Sequence, residues 1–410
     1  MKCYVIIGGG IAGVSCIEGI RSVDREGSIT VVCAEAHSNY GRPLISYYLE
    51  GKTDVGRMSY RGADFYEKNA VRVLHGLSAA SIDPAAHKVT LSDSAELPYD
   101  ALCLCTGSRP AVPRFEGLDT VEKRFTFTTL ADALALEKVV TKDSRVLIIG
   151  AGFIGLKCAE GLRDRAGTVT VCDMAGHVMP ANLDDDSAAI LQRHLEANGI
   201  NLILGDSVKR FDGNAAALQS GAEVPFDVLV IAAGVRPETT LYAAAGGKVG
   251  HGIPVDAQMK TALPDVWAAG DCTESIDLTT GKPDVLAVLP NACMGGRCAG
   301  ANMAGGDEIF DKGIKMNSIG FFGLHIMSAG TYTDLVYSDV TETSCKKLFA
   351  KGGYLTGFIL VGDVARAGIY TAMIRNRTPL SSIDFETVKH NPSLLPFGKA
   401  YRAQKLGGVV

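Results

Sequence analysis

The sequence predicts an α/β fold: two Rossmann-like nucleotide-binding units followed by a smaller α+β unit. Two glycine turns and one change of pattern predict it. A β-rich run leads into Gly8-x-Gly10-x-x-Gly13, and the same device returns at Gly150-x-Gly152-x-x-Gly155. Beyond residue 312 the alternation of strand and helix gives way to consecutive β-type runs.

The totals allow this. A chain of 410 residues is long enough for two to four compact units, and 47% apolar with 21% charged residues is ordinary for a folded soluble protein. A net charge of −5 and a pI near 5.9 provide no basic field for nucleic acid or an anionic membrane. The charge is uneven: from Asp311 onward there are twelve Lys and Arg against seven Asp and Glu. Such a tail on an acidic body suits an acidic protein partner, or is ordinary surface variation. The apolar run Tyr4–Ile7 is too short for a signal peptide or a membrane span, and no apolar stretch of 18 residues follows. Eleven Cys, an odd number and mostly within β-like runs, point to a reducing cytoplasm rather than a disulfide framework.

The first unit opens on the run Tyr4–Ile7 and the Gly8–Gly13 turn, with a helix to about Val23 and a second strand at Ser28–Cys33. The spacing has a physical cause. The first glycine makes the strand-to-helix turn, the second lets backbone touch a diphosphate, and the third lets helix and strand close up. The helix end then offers free N–H groups and a positive dipole to the phosphates. Glu35, 22 residues past Gly13, stands where an acid accepts from a ribose hydroxyl. In the second copy Arg145–Ile149 is the strand, the helix runs to about Arg165, and Thr168–Cys172 leads to Asp173, 18 residues past Gly155. Asp173 accepts from a free 2′-hydroxyl and repels a 2′-phosphate, and no Arg or Lys occurs in residues 174–177, so NADH is favoured over NADPH. An amphipathic helix over Asp184–Ala197, stopped by Asn198-Gly199, precedes a strand at Asn201–Leu204. The final unit contributes runs at Lys347–Ala350 and Tyr354–Leu360 and a helix near Ala365–Ile374.

Further motifs follow in a fixed order: Tyr40-Gly41-Arg42-Pro43-Leu44-Ile45-Ser46, Thr106-Gly107-Ser108-Arg109-Pro110, Ala233-Gly234-Val235-Arg236-Pro237, Val266-Trp267-Ala268-Ala269-Gly270-Asp271, and Leu289-Pro290 opening a helix. The set resembles the pyridine-nucleotide-dependent flavoprotein reductases with two dinucleotide-binding domains. Residues 357–363 resemble the rubredoxin-reductase and nitrite-reductase branch. The resemblance implies a discontinuous FAD domain over 1–109 and 237–312, an inserted NAD domain over 110–236, and a C-terminal interface domain over 313–410. It implies that Gly8, Gly10, Ile11, Ala12 and Gly13 seat the FAD diphosphate, that Glu35 meets a ribose hydroxyl, and that Ala36 and Ala79 also bind FAD. Arg42 and Pro43 would run along the flavin, Thr106, Gly107, Ser108 and Arg109 would form the turn leaving the domain, and Gly270 and Asp271 would meet the ribityl region. Pro290 would open a helix whose positive end faces the flavin pyrimidine, where a reduced flavin gathers negative charge. For NADH it implies Gly150, Gly152, Phe153, Ile154, Gly155, Asp173 and Gly234.

The sequence departs from the family in two places. Its disulfide reductases carry a Cys pair beside the flavin, yet residues 38–52 contain no Cys. Cys293 and Cys298 are five apart on a helix, hence roughly 140° apart around it, and read as packing residues. Cys103 and Cys105 share one face of a strand and read as buried thiols rather than metal ligands. No metal site stands out. Second, a Glu after the second glycine loop usually pairs with a Lys beside the nicotinamide. Here those positions are Lys157 and Tyr47. Lys157 is thus either a cation near the nicotinamide and flavin or a locally paired lysine.

The expectation is an FAD-containing, NADH-dependent oxidoreductase, monomer or homodimer, without a redox-active disulfide. It would pass electrons to a small carrier protein such as rubredoxin. The alternatives are an NADH oxidase, a reductase of small molecules such as O₂ or a quinone, or an FAD- and NADH-binding subunit of a larger complex. The absence of C-x-x-C iron–sulfur motifs speaks against the NADH-oxidising part of a nitrite-reductase-like assembly.

Overall fold

The computed structural model describes residues 1–406, so the last four residues of the expected C-terminal unit lie outside the described residues. The first unit begins with β1 (Cys3–Ile7), α1 (Ile11–Val23) and β2 (Ser28–Cys33). It continues through the short helix α2 (Ile45–Leu49) to β3 (Val71–His75) and β4 (Ala101–Leu104). The chain then builds a second unit from α3 (Leu130–Val139), β5 (Arg145–Ile149), α4 (Phe153–Arg163), β6 (Thr168–Asp173), α5 (Asp185–Ala197), β7 (Asn201–Leu204) and β8 (Val228–Ile231). It returns to the first sheet with β9 (Val266–Ala268) and α6 (Leu289–Met303). Both sheets are parallel. The first has the order β9-β4-β1-β2-β3, and the second β7-β6-β5-β8 with the short strand Arg124–Phe125 at its edge.

The central strands are apolar along their whole length because both faces are covered, one by helices and the other by a small antiparallel sheet (residues 79–98 in the first unit, 208–225 in the second): β4 and β8 are buried at every residue. Local chemistry sets the helix starts. Thr129 and Asp132 form a reciprocal capping box on α3, and Asp184 with Ser187 does the same on α5. The helix after the second glycine loop stops at Arg163 rather than near Arg165, with Asp164 as its C-cap.

The last unit is an antiparallel sheet of β10 (Met316–Phe321), β11 (Leu324–Gly330), β12 (Asp334–Val340), β13 (Cys345–Lys351) and β14 (Tyr354–Val361), in the order β10-β11-β14-β13-β12, followed by α7 (Gly368–Arg375). The helix begins three residues later than expected. Asp363 accepts from the Ala365 amide in a tight turn, and Arg366 takes φ +59°, which a right-handed helix excludes. One apolar core links all three parts: Leu156 and Leu162 of α4 belong to the same cluster as Ile45 and Leu49 of α2 and Phe321, Ile359 and Val361 of the last sheet. The expected basic tail is partly internal. Lys347 is buried and bonds Asp184 and Asp186 at the start of α5, so it takes no part in an outer basic surface. No helix among the described residues is long and apolar enough to cross a membrane.

Candidate functional site

Each parallel sheet ends in a glycine loop at the carboxyl end of its central strand, where open α/β sheets bind ligands. Gly8 has φ +115°, and a β-carbon there would lie 2.1 Å from the Cys105 carbonyl oxygen, so only glycine lets β1 turn against the end of β4. Gly10 is the N-cap of α1 and offers no side-chain cap. The first turn carries no acid, and a β-carbon at Gly10 would meet nothing within 4 Å. The N–H groups of Ile11, Ala12 and Gly13 therefore present the helix's positive end to open space, the arrangement that suits a diphosphate. The second loop repeats it. Gly150 has φ +115° against the Ala232 carbonyl, and Gly152 is an uncapped N-cap with nothing within 4 Å. Gly155 brings α4 close to the loop, while Phe153 and Ile154 lie half-buried in the first turn.

Glu35 follows β2 and is already engaged: it pairs with the Arg42 guanidinium and accepts from the Tyr40 hydroxyl at 2.6 Å. Tyr40 in turn accepts from the Leu130 amide at the start of α3, and Arg42 donates to the Thr128 carbonyl at 2.8 Å. The acid of the first unit is thus tied to the second unit through Tyr40, whose role the sequence did not disclose. Ala36 is exposed just beyond Glu35, Pro43 lies exposed in the turn Arg42–Leu44, and Ala79 opens a short outer strand to Asp83.

A second convergence surrounds Asp271. Burial pushes its carboxyl up, while the Arg42 guanidinium and the Ser108 hydroxyl pull it back. Tyr60 lies beside the same two charges, its hydroxyl pushed up to about 12 chiefly by burial. Gly270 has φ +85°, and a β-carbon there would stand 3.0 Å from that of Ala12, which puts the Asp271 turn against the first loop. Pro290 sits exposed in the first turn of α6, whose N-terminus has no side-chain cap. Thr106 and Gly107 lock onto the backbone of Glu238, and Arg109 pairs with the Glu238 carboxylate at 3.2 Å. These contacts flank the short antiparallel pair Ser108–Pro110 with Val235–Pro237, beside which Gly234, at φ +99°, lies exposed.

In the second unit both oxygens of Asp173 accept backbone amides, from Ala151 in the glycine loop at 2.6 Å and from Ala175 at 2.8 Å. Lys157 and Tyr47 do meet, as a cation over a ring at 4.6 Å. The ammonium also pairs with Glu160 and stands 3.9 Å from Glu50. Lys157 is thus a locally paired lysine here. Glu50 and Glu160 are further residues that sequence reasoning passed over.

The cysteines are free. Cys103 and Cys105 lie 3.5 Å apart, sulfur to sulfur, in the core behind the first loop, where their mutual contact and burial hold the Cys105 thiol well above its usual range. Cys298 is buried, whereas Cys293 is half-buried and accepts from Ser15. Among the described residues, no group of three or more His, Cys, Asp or Glu is placed to hold a metal ion.

Known proteins share this arrangement. The chain is 31% identical over 393 residues to the NADH-dependent phenylglyoxylate dehydrogenase subunit epsilon of Aromatoleum evansii, covering 93% of each chain. It is 30% identical over 275 residues to the nitric oxide reductase FlRd-NAD(+) reductase of Salmonella agona, covering 66% of this chain and 72% of that one. Its fold superposes with a TM-score of 0.87 on the covalent putidaredoxin reductase–putidaredoxin complex, at 24% identity and over 95% of each chain. With residues 2–296 matching the family model as well, the chain belongs to the pyridine nucleotide-disulphide oxidoreductase family.

Proposed function

We propose that this chain binds FAD on the Gly8–Gly13 loop and NADH on the Gly150–Gly155 loop, and passes electrons from NADH to a protein acceptor. Residues 1–109 with 237–312 hold FAD, 110–236 hold NADH, and residues from 313 onward cover the second unit. The observation that carries this reading is the repetition: two uncapped helix starts, each behind a glycine at φ +115° and each facing open space. FAD, when bound, takes two electrons from a nicotinamide and can release them singly. The residues position and discriminate. Arg42, Ser108 and Asp271 frame the space next to the first loop. The uncapped start of α6 supplies a positive end nearby, and Asp173 selects a free ribose hydroxyl in the second unit. No cysteine lies in residues 38–52 beside the Arg42 turn, which supports transfer without a thiol relay.

A carrier such as rubredoxin fits this chemistry, and the relationship to an FlRd-NAD(+) reductase supports a protein as acceptor. A second reading has its own support. The match to subunit epsilon of the phenylglyoxylate dehydrogenase runs over 93% of both chains, which favours a chain that works as one subunit of a larger enzyme.

Anaerobic titration of the purified protein with NADH and with NADPH tests the core. A yellow protein bleached by NADH at lower concentration than by NADPH is expected, and a protein that takes up no FAD overturns it. Turnover with rubredoxin, a ferredoxin, a quinone and O₂ then separates the acceptors. Rapid reduction of a carrier supports the first reading, uniformly slow turnover alone supports the subunit, and rapid O₂ consumption supports an oxidase.

A further inference from the structure

The charged cluster at Lys157 draws on three distant stretches of chain. Tyr47 and Glu50 come from α2 and its end, Lys157 and Glu160 from successive turns of α4, Gly320 from the end of β10 and Phe322 from the turn that follows it. The side chains of Lys157, Glu160 and Glu50 are 11%, 5% and 9% exposed. The Lys157 ammonium pairs with Glu160, lies over the Tyr47 ring and donates to the Gly320 carbonyl at 3.3 Å. Glu160 accepts from the Phe322 amide at 2.6 Å. One buried ammonium thus serves two buried carboxylates, with Lys52 reaching Glu50 only from the exposed rim. The Glu50 Oε1 atom has no hydrogen-bond partner. Apolar side chains of similar size would hold such an interface as firmly, so the ions contribute direction rather than strength.

That direction bears on the proposed site. Lys157 lies two residues past Gly155, on the helix that starts at the second loop. Tyr47 is half-buried, three residues past the Arg42–Leu44 turn on the first unit. The helices meet closely: a β-carbon at Gly161 would stand 3.0 Å from the Ser46 carbonyl. We propose that Lys157 is a positioning residue for hydride transfer: it fixes the Tyr47 ring between the two cofactor units and, through Glu160 and residues 320–322, makes that placement depend on the C-terminal sheet. The inference rests on the cofactor reading above. Lys157 would take neither proton nor electron; with both cofactors bound, the hydride of NADH would go to the flavin.

Stopped-flow reduction of the FAD-loaded protein, with NADH affinity measured separately, provides the test. In Lys157→Met the limiting rate of bleaching falls about ten- to a hundredfold, as a misplaced group far from the reacting atoms can cause, with NADH affinity little changed. Lys157→Arg restores most of the rate. Tyr47→Leu, which removes no charge, reproduces the loss, and the double variant is no slower than either single one. Hydrogen exchange of the peptide containing Phe322 speeds up in Lys157→Met. Wild-type bleaching in Lys157→Met or in Tyr47→Leu overturns the positioning role, as do losses that multiply in the double variant. Unchanged exchange at Phe322 overturns the link to the C-terminal sheet. If Lys157→Met fails to hold FAD, Tyr47→Leu decides alone. Failure of the cofactor reading looks different: the unaltered protein is then colourless or unresponsive to NADH.

Discussion

Asp173 shows how much one carboxylate is asked to do. Both its oxygens hold backbone amides, and one of these, Ala151, belongs to the glycine loop itself. Each oxygen keeps a second lone pair for a ribose hydroxyl. Asp173→Ala is expected to weaken NADH binding about tenfold, near 1.4 kcal/mol, and to narrow the preference over NADPH, because the repulsion of a 2′-phosphate goes with the carboxylate. Parallel titrations with the two nucleotides check this, and an unchanged ratio of affinities refutes it. The position of this acid was legible in the sequence because the distance from glycine loop to second strand end is set by one helix and one strand. That it also anchors the loop was not, since the partner amide belongs to a turn whose path depends on packing.

At the scale of the elements, the two glycines of one loop should part company. Alanine at Gly8 meets the Cys105 carbonyl at 2.1 Å and a left-handed φ of +115°, so Gly8→Ala is expected to lower stability by about 1–3 kcal/mol or more. Alanine at Gly10 meets nothing within 4 Å of its β-carbon, so Gly10→Ala should unfold with the wild type and yet hold less FAD, its methyl occupying space a phosphate needs. Thermal unfolding and flavin content, measured on both variants, test the contrast.

The second sheet offers a pH prediction. The Arg145 side chain and amide hold the Asp227 carboxyl down at about 2, pinning the chain entering β8 to the start of β5. A depressed carboxyl stabilises the fold above the ordinary value near 4 and loses that contribution as pH falls toward 2. Asp227→Asn should therefore melt below the wild type at neutral pH, with the gap narrowing between about pH 4 and pH 2. The pair is well exposed, which keeps the effect small. A gap that stays constant over that range would contradict the assignment. The strands and helices that flank the two glycine loops, with α5 and β7, were legible from periodicity and caps, whereas α2, α3, β3 and β8 were not foreseen. The start of α7 was missed because Arg366 adopts a left-handed φ, which an arginine in the sequence does not announce.

For the whole molecule, the C-terminal sheet is bound to the second unit by side chains that look like surface charge in the sequence. Lys347 is 7% exposed and bonds both Asp184 and Asp186, Tyr332 donates to the Asn182 carbonyl, and Arg193 to that of Glu342. Lys347→Met leaves two carboxylates without their cation. Because these are partly exposed, the expected loss is about 1–3 kcal/mol, below that of a fully buried pair, and denaturant unfolding measures it. With Lys347 withdrawn inside, the outer surface of this unit is less basic than its composition suggests. Carrier reduction should still slow as salt rises if docking uses the exposed Lys312, Lys351 and Arg366; a rate indifferent to salt removes charge from the docking proposal.

The sequence by itself determined the two nucleotide loops, their strands and helices, and the acids that close them, because each depends on spacing within about 30 residues and on what glycine alone permits. Only the tertiary structure decided which of these groups meet: Arg42 with Glu35 and Asp271, Tyr40 with the start of α3, Lys157 with Tyr47, and Lys347 with α5. Most of these partners are brought together by packing between units, and long-range packing leaves no periodic trace in the order of residues.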